Sequence, residues 1–466
     1  MHSDRLQVKN KNVTVFGIKK SGIAAIELLL KLGANVYATE RDAEIESESI
    51  IWMEEHGVGF ELGFHSRKCI ESAELIVISP GVNPALPILR EAQENGISII
   101  GEVELAYQFS DARFLAVTGT SGKSTTVELI GAILSQHLPN VFVCGNIGVP
   151  ISRIVLDNPG KKLNLVVEVS SFQLETIYKF RPEIAVFLNF NDDHLDRYTS
   201  LNEYLQAKCR IFENQLQDNF ALLNADSPVL NEIKQIQAKK VFFSNRNSLD
   251  RGFYYENGAV ILHPDHLPPL KVSLKGYRLL GLHNRANAIA SLAASYLYLQ
   301  KHFSVEKAQK ALGQFKGLEH RFEWVGTYRD ISFINDSKST KPQTTLVALE
   351  CLEQPTILIL GGSDKGNDFS ELVEKISLHP NVKMVIITGK TQKKIKHAFD
   401  AISYKKYKLT PSFKSAVFEA IVRSKSGDLV LLSPACASFD EFKDFEHRGF
   451  IFKQLLTNAF KSNDIC

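Results

Sequence analysis

The sequence predicts an α/β protein of three consecutive domains, each built on a mainly parallel sheet. Three observations predict it. The length, 466 residues, suits about three domains of ordinary size. Short apolar runs of strand length alternate with segments of helical period along most of the chain. Turn or capping residues follow those runs, as expected where a strand hands over to a helix.

The elements follow in order. "NVTVFGIKKSGIAAIELLLKLGANVYATE" (12–40) holds a β run, a glycine turn, an amphipathic helix and a second β run, one βαβ unit of the doubly wound kind. "AELIVISPGV" and "GISIIGEVELA" supply two more strands. A second series opens with "ARFLAVTGTSGKS" and continues through "LNLVVEVSS", "EIAVFLNF" and "FALLNAD". From about 240 to 280 the pattern becomes irregular and reads as hairpins, before "NRANAIASLAASYLYLQ" restores helical periodicity. A third series follows "FKGLEHRFEWV", with strands in "SFINDS", "TILILGG", "KMVIITG" and "DLVLLSPA". The expected division is a Rossmann-like domain at 1–102, a P-loop-type domain with a parallel sheet at 103–318, and a second Rossmann-like domain at 319–466.

Composition narrows the partners. Basic and acidic residues, 54 against 52, are interspersed, which gives no argument for nucleic acid or an anionic membrane. The polar start "MHSDRLQVKNKN" lacks the apolar core of a secretion signal. No apolar run approaches the roughly 20 residues of a membrane span, so no membrane insertion is expected. Six scattered cysteines without a Cys-x-x-Cys pair suggest reduced thiols in a cytoplasmic protein.

"TGTSGKST" (118–125) lies between a buried strand and a helix. Gly119 and Gly122 let the backbone around Thr120 and Ser121 converge its N–H groups on one point. The helix start adds partial positive charge. Lys123 can reach phosphate oxygens, and the Ser124 or Thr125 hydroxyl can ligate magnesium. A structural turn would explain the glycines alone; the whole string favours a triphosphate site. Val117 replaces the first glycine of the common pattern, so the loop is a shorter one.

Glu168 ends a strand too apolar to bury a carboxylate unpaired, and either magnesium or a Lys or Arg would pair it. In "NFNDDHLDRY", His194 stands among Asp192, Asp193 and Asp196 after another strand, a good position for metal work. Lys208 in "AKCRIFEN" reads, by composition, as an exposed helical charge.

"TGTSGKST" resembles the nucleotide loop of the Mur ligases, the ATP-dependent amide-forming enzymes of peptidoglycan precursor synthesis, which have three domains and include the related folylpolyglutamate synthetases. "SSFQLE" and "SPACASFDEFKDFEHRG" resemble the branch that adds D-glutamate. The resemblance implies ATP and two magnesium sites, held by Ser124, Glu168, His194 and a carbamylated Lys208. Arg321 in "GLEHRF", with Asp336 and Lys338 in "INDSKST", matches nucleotide contacts, although a salt-bridged domain boundary would also account for them. Asn284 and Asn287 match residues near adenine and ribose; a helix cap and a surface residue are the alternative.

By the same resemblance Thr340, Lys365, Ser438 and Phe445 would hold D-glutamate. The family has an acid two places before that lysine, where "GGSDKGNDF" has Ser363 followed by Asp364. In the first domain "GIKKSG" has Lys19 in place of the middle glycine of a dinucleotide fingerprint, which disfavours a nicotinamide cofactor. A UDP-sugar is compatible, with Lys20, Ser21, Arg41, Gly81 and Asn146 as contacts. The implied activity is a monomeric ligase joining D-glutamate to UDP-N-acetylmuramoyl-L-alanine through an acyl phosphate and a tetrahedral intermediate, releasing ADP and phosphate. A folylpolyglutamate-type ligase fits the first domain and "SPACAS" poorly. A regulatory module without catalysis has no need of Lys123, Glu168, His194 and Lys208 together.

Overall fold

The run from Val13 to Phe16 is buried throughout, as a parallel strand covered by helices on both faces must be. The computed structural model describes residues 6–192, 197–229, 232–233, 236–265, 267–279 and 281–461. Two units emerge: Met1–Lys275 with Ala286–Gly313, and Gly276–Arg285 with Gln314–Cys466.

The first unit carries two sheets. One contains β1 (Asn12–Phe16), β2 (Asn35–Glu40), β3 (Gly59–Leu62), β4 (Leu75–Ile78) and β5 (Ser98–Gly101), in the order β3-β2-β1-β4-β5. All its pairings are parallel. The second contains β6 (Arg113–Thr118), β7 (Val141–Gly145), β8 (Asn164–Glu168), β9 (Ile184–Phe187), β10 (Phe220–Asn224), β11 (Lys239–Ser244), β12 (Gly252–Glu256), β13 (Ala259–His263) and β14 (Leu270–Ser273). Its order is β14-β13-β12-β11-β10-β9-β6-β8-β7. Only β12-β13 and β13-β14 pair antiparallel, which is the hairpin region expected near 240–280.

Buried acids fasten the two sheets together through the helix Glu102–Gln108. Glu104 is fully buried and accepts the backbone N–H groups of Tyr178, Lys179 and Phe180 together with the Gln108 amide. Glu102 takes the Ser152 N–H at 2.6 Å. An ion pair between Glu27 and Arg153 adds a third tie.

The second unit holds β15 (Glu323–Tyr328), β16 (Ile331–Asn335), β17 (Thr356–Gly361), β18 (Val382–Thr388), β19 (Tyr407–Leu409) and β20 (Leu429–Leu432), in the order β15-β16-β20-β17-β18-β19. β15 pairs antiparallel with β16 and the rest are parallel. Apolar clusters around Leu358, Leu360 and Ile387 and around Ile357, Ile359 and Ile386 cover its two faces, alternate residues of each strand serving opposite sides. Among the described residues no helix is long and apolar enough to cross a membrane.

Candidate active site

β6 delivers the chain directly into a tight loop, and the helix Lys123–Ser135 starts at once. Gly122 caps it with φ +80°, and a Cβ there would lie 2.4 Å from Asn287 Oδ1. Only glycine closes this turn against Asn287. The loop is strapped to the segment after β9. Thr120 N–H donates to the Asn189 carbonyl at 3.1 Å, and Ser121 N–H to Asn189 Oδ1 at 2.9 Å. Asn189 Nδ2 returns a bond to Ser121 O at 3.1 Å, and the Thr120 hydroxyl reaches Asn191 O at 3.2 Å. Asn189 begins the acid-rich string in the sequence, yet its residue type alone gave it no task.

Two ammonium groups share one oxygen. Lys123 Nζ donates to Gly119 O at 2.9 Å and Thr120 O at 3.0 Å, and Lys208 Nζ donates to the same Gly119 O at 2.9 Å. Lys208 is only 2% exposed, and its ammonium stands 4.5 Å from the Tyr204 ring centroid. The reading of Lys208 as an exposed helical charge is therefore corrected. The helix Leu201–Cys209 turns this face inward, where the aromatic ring supplies negative quadrupole.

β8 runs between β6 and β7, which puts Glu168 level with Val117 and Gly145. Its carboxylate is 2% exposed; Oε1 accepts Asn146 Nδ2 at 2.8 Å, while Oε2 has no hydrogen-bond partner. No Lys or Arg pairs with it among the described residues. Burial and the Glu168 charge together push the Glu128 carboxyl above its ordinary range. A buried carboxylate with one orphaned oxygen, pressing on a second acid, fits a hard divalent cation. Ser124 is buried in the first turn of the adjoining helix. Among the described residues no three His, Cys, Asp or Glu side chains form a metal cluster. His194, Asp193 and Asp196 lie outside the described residues, and Asp192 is exposed.

Of the first-sheet candidates, Lys20 and Ser21 open the helix Lys20–Lys31, and Lys20, Arg41 and Gly81 are exposed. Asn146 is engaged with Glu168 instead. The chain's own Glu40 fills the glycine turn, accepting Ile18 N–H at 2.9 Å and Asp42 N–H at 3.1 Å. Sequence reasoning missed Glu61, which gathers the Thr39 hydroxyl at 3.0 Å and the Ser66 hydroxyl at 2.6 Å. It sits on β3, too short and half-exposed to announce itself.

The second unit gathers its candidates at the C-terminal strand ends. Asp336, after β16, accepts Phe322 N–H at 3.1 Å and the Ser433 hydroxyl at 2.7 Å; burial pushes its carboxyl up to about 6. Arg321 is half-buried two residues before β15. Lys338 is exposed, its ammonium 5.5 Å from the Phe445 ring centroid, and its carbonyl accepts Thr340 N–H at 2.9 Å. Lys365 is exposed above Phe439, at 5.1 Å, and Ser438 is buried. Asn284 belongs to this unit, where its carbonyl accepts the Tyr277 hydroxyl at 3.2 Å.

Beneath the loop after β20 lies Arg448, 1% exposed. Its guanidinium donates to Ser337 Oγ at 2.9 Å, Ser337 O at 2.8 Å, Cys436 O at 3.0 Å and Ala437 O at 3.3 Å. Burial pushes its pKa down to about 10, which still leaves it charged at neutral pH. Ala435 in the same loop takes φ +57°, a left-handed conformation that a non-glycine residue holds only under constraint. Arg448 was in the quoted signature, but nothing there marks it as buried.

Three stretches of the chain match family descriptions in order. Residues 11–101 match the Mur ligase MurD-like N-terminal domain, 117–295 the Mur ligase middle domain, and 320–436 the Mur ligase glutamate ligase domain. A UDP-N-acetylmuramoylalanine--D-glutamate ligase of Caldanaerobacter subterraneus subsp. tengcongensis is 39% identical over 453 residues, covering 96% of this chain and 98% of that protein. Its counterpart in Clostridioides difficile is 36% identical over 461 residues, covering 97% and 100%. The fold is shared with the MurF ligase of Thermotoga maritima in complex with ADP, at TM-score 0.55 and 17% identity over 97% of this chain and 96% of that one. The chain belongs to the Mur ligase family.

Proposed function

We propose that this chain joins D-glutamate to the alanyl carboxylate of UDP-N-acetylmuramoyl-L-alanine at the expense of ATP, a step in peptidoglycan precursor synthesis. The full-length likeness to ligases of that name carries the reading. In this division residues 1–102 bind the UDP-sugar, 103–318 bind ATP, and 319–466 bind the amino acid.

Thr120 and Ser121 have their N–H groups taken by Asn189. The helix start from Gly122 to Thr125 is then the part of the loop that holds phosphate oxygens. Lys123 leaves its loop carbonyls for the terminal phosphate, whose charge its ammonium balances as the group passes to the carboxylate. Ser124, Glu168, His194 and a carbamylated Lys208 would hold two magnesium ions, which supply further charge neutralisation when bound. Asn284, Asn287, Arg321, Asp336 and Lys338 are the proposed contacts to the rest of the nucleotide. Thr340, Lys365, Ser438 and Phe445 hold D-glutamate, the lysine pairing with one carboxylate. Its amine attacks the acyl phosphate, a tetrahedral intermediate forms, and phosphate leaves.

The test is phosphate release with ATP, magnesium and UDP-N-acetylmuramoyl-L-alanine, comparing D-glutamate, L-glutamate and diaminopimelate. D-glutamate alone should support turnover; equal release with L-glutamate, or intact ATP throughout, overturns the reading. Bicarbonate added at mildly acidic pH should raise the rate, and a flat response counts against the carbamate.

A further inference from the structure

Asp440 lies two residues beyond Ser438, in the loop between β20 and the helix Phe445–Lys461. None of the roles above includes it. Its carboxylate joins three loops, each leaving the C-terminal end of a parallel strand. Oδ2 accepts Lys390 N–H at 3.1 Å, from the loop after β18. Oδ1 accepts the Ser363 hydroxyl at 3.4 Å, from the loop after β17. Gly389 has φ +75°, and a Cβ there would stand 2.4 Å from Asp440 Oδ2, so that loop rests directly on the carboxylate.

Backbone bonds lace the same three loops. Ser363 N–H donates to Ala437 O at 2.8 Å, Thr391 N–H to Gly362 O at 3.0 Å, and Gly362 N–H to Thr391 Oγ1 at 3.1 Å. The residues on either side of this lacing carry the amino-acid site. Lys365 extends from the loop after β17 over Phe439, a residue 63% exposed. Asp364, beside Lys365 in sequence, is taken by Lys394 at 3.2 Å. Asp440 is therefore the carboxylate that ties the Lys365 loop to the Ser438 loop.

We infer that Asp440 is a positioning residue for the amino-acid substrate, setting the spacing between Lys365 and Ser438. The inference rests on the proposed function. A substrate with two carboxylates is gripped at two points, so the distance between the gripping groups decides how well both are met. A misplacement of about 1 Å at such a site costs on the order of 10²-fold.

The experiment is steady-state kinetics of the full chain with each substrate varied in turn. Asp440→Ala should raise the KM for D-glutamate by about 10- to 100-fold, while the KM for ATP and for the UDP-sugar substrate stays within about 2-fold of the wild type. Asp440→Asn keeps one acceptor oxygen and should fall between the two. Ser363→Ala alone should give a rise of about 3-fold, since a bond as long as 3.4 Å is the weaker tie. In an Asp440→Ala background it should add nothing, because the bond is already gone. An unchanged KM for D-glutamate, a parallel rise for all three substrates, or multiplying effects of the two substitutions would overturn the inference. Should Asp440→Ala not fold, Ser363→Ala and Asp440→Asn decide by the same criterion. A wild-type enzyme indifferent to D-glutamate sinks the functional reading and this inference together. A wild type that needs D-glutamate, with unaltered variants, sinks only the inference.

Discussion

The glycine turn after β6 in the first unit and the loop after β20 in the second are both turns at the end of a buried parallel strand, yet opposite means hold them. In the first, like charges are brought together and an acid keeps one oxygen without a hydrogen bond. Two ammonium groups crowd Gly119 O, and Glu168 Oε2 has no partner. In the second, charge is consumed internally. Arg448 donates to four oxygens of the frame, and Asp336 accepts from Phe322 and Ser433. A turn that receives a polyanion must keep counter-charge available, whereas a turn that presents a fixed shape is better built on charges already satisfied.

The largest test of that contrast is Lys123→Ala. ATP-dependent phosphate release should fall by about 10³-fold, the scale on which preorganised charge acts on a transferring group. Thermal stability should fall far less than activity, because Gly119 O and Thr120 O, to which Lys123 donates, belong to its own loop. Normal turnover, or a collapse in the melting temperature, would break the comparison from the first side.

Arg448→Met tests the other side. The carbonyls of Ser337, Cys436 and Ala437 would lose their donor in a buried setting, costing about 3 kcal/mol. In urea the transition of the second unit should move to clearly lower denaturant, where Lys123→Ala leaves it in place. If both variants unfold alike, Arg448 is not what holds the loop.

These two residues also mark how far the sequence could be read. The turn at Lys123 was legible because its signal is local: a glycine turn, a lysine and a hydroxyl at fixed spacing fall within eight residues, and the helix starts there. The burial of Glu168 was legible for a related reason, an acid ending an otherwise apolar strand. Arg448 was not, because its burial is created by Ser337, far away in the chain. A lone arginine in "DFEHRGF" looks like a surface charge. Lys208 misled composition in the same way, since the carbonyl it meets comes from Gly119, 89 residues away, although the Tyr204 ring lies on its own helix. Strands β3, β15 and β19 went unread because they are short or half-exposed edges, where the apolar pattern fades. The buried strands β6, β8, β17 and β20 kept that pattern in full.

The smallest predicted effect cuts closest to the difference between the two loops. Glu168→Gln keeps an oxygen to accept the Asn146 amide and replaces the orphaned oxygen with a neutral donor. It also removes the charge that helps push the Glu128 carboxyl up. Removing that charge relieves the repulsion which, with burial, raises Glu128, so the variant should be more stable in the absence of ligands, by about 1 kcal/mol. For a unit of this size that is a rise of about 1–2 °C in melting temperature, together with loss of phosphate release. The sign with pH follows from Glu128. Its raised pKa means that the wild type binds a proton there more readily when folded than when unfolded, so the repulsion is relieved as pH falls through that value. The stability gain of Glu168→Gln should therefore be full at neutral pH and shrink toward acid. A variant that melts lower than the wild type at neutral pH would mean that Glu168 is already compensated in the ligand-free chain, and the first loop would then resemble the second.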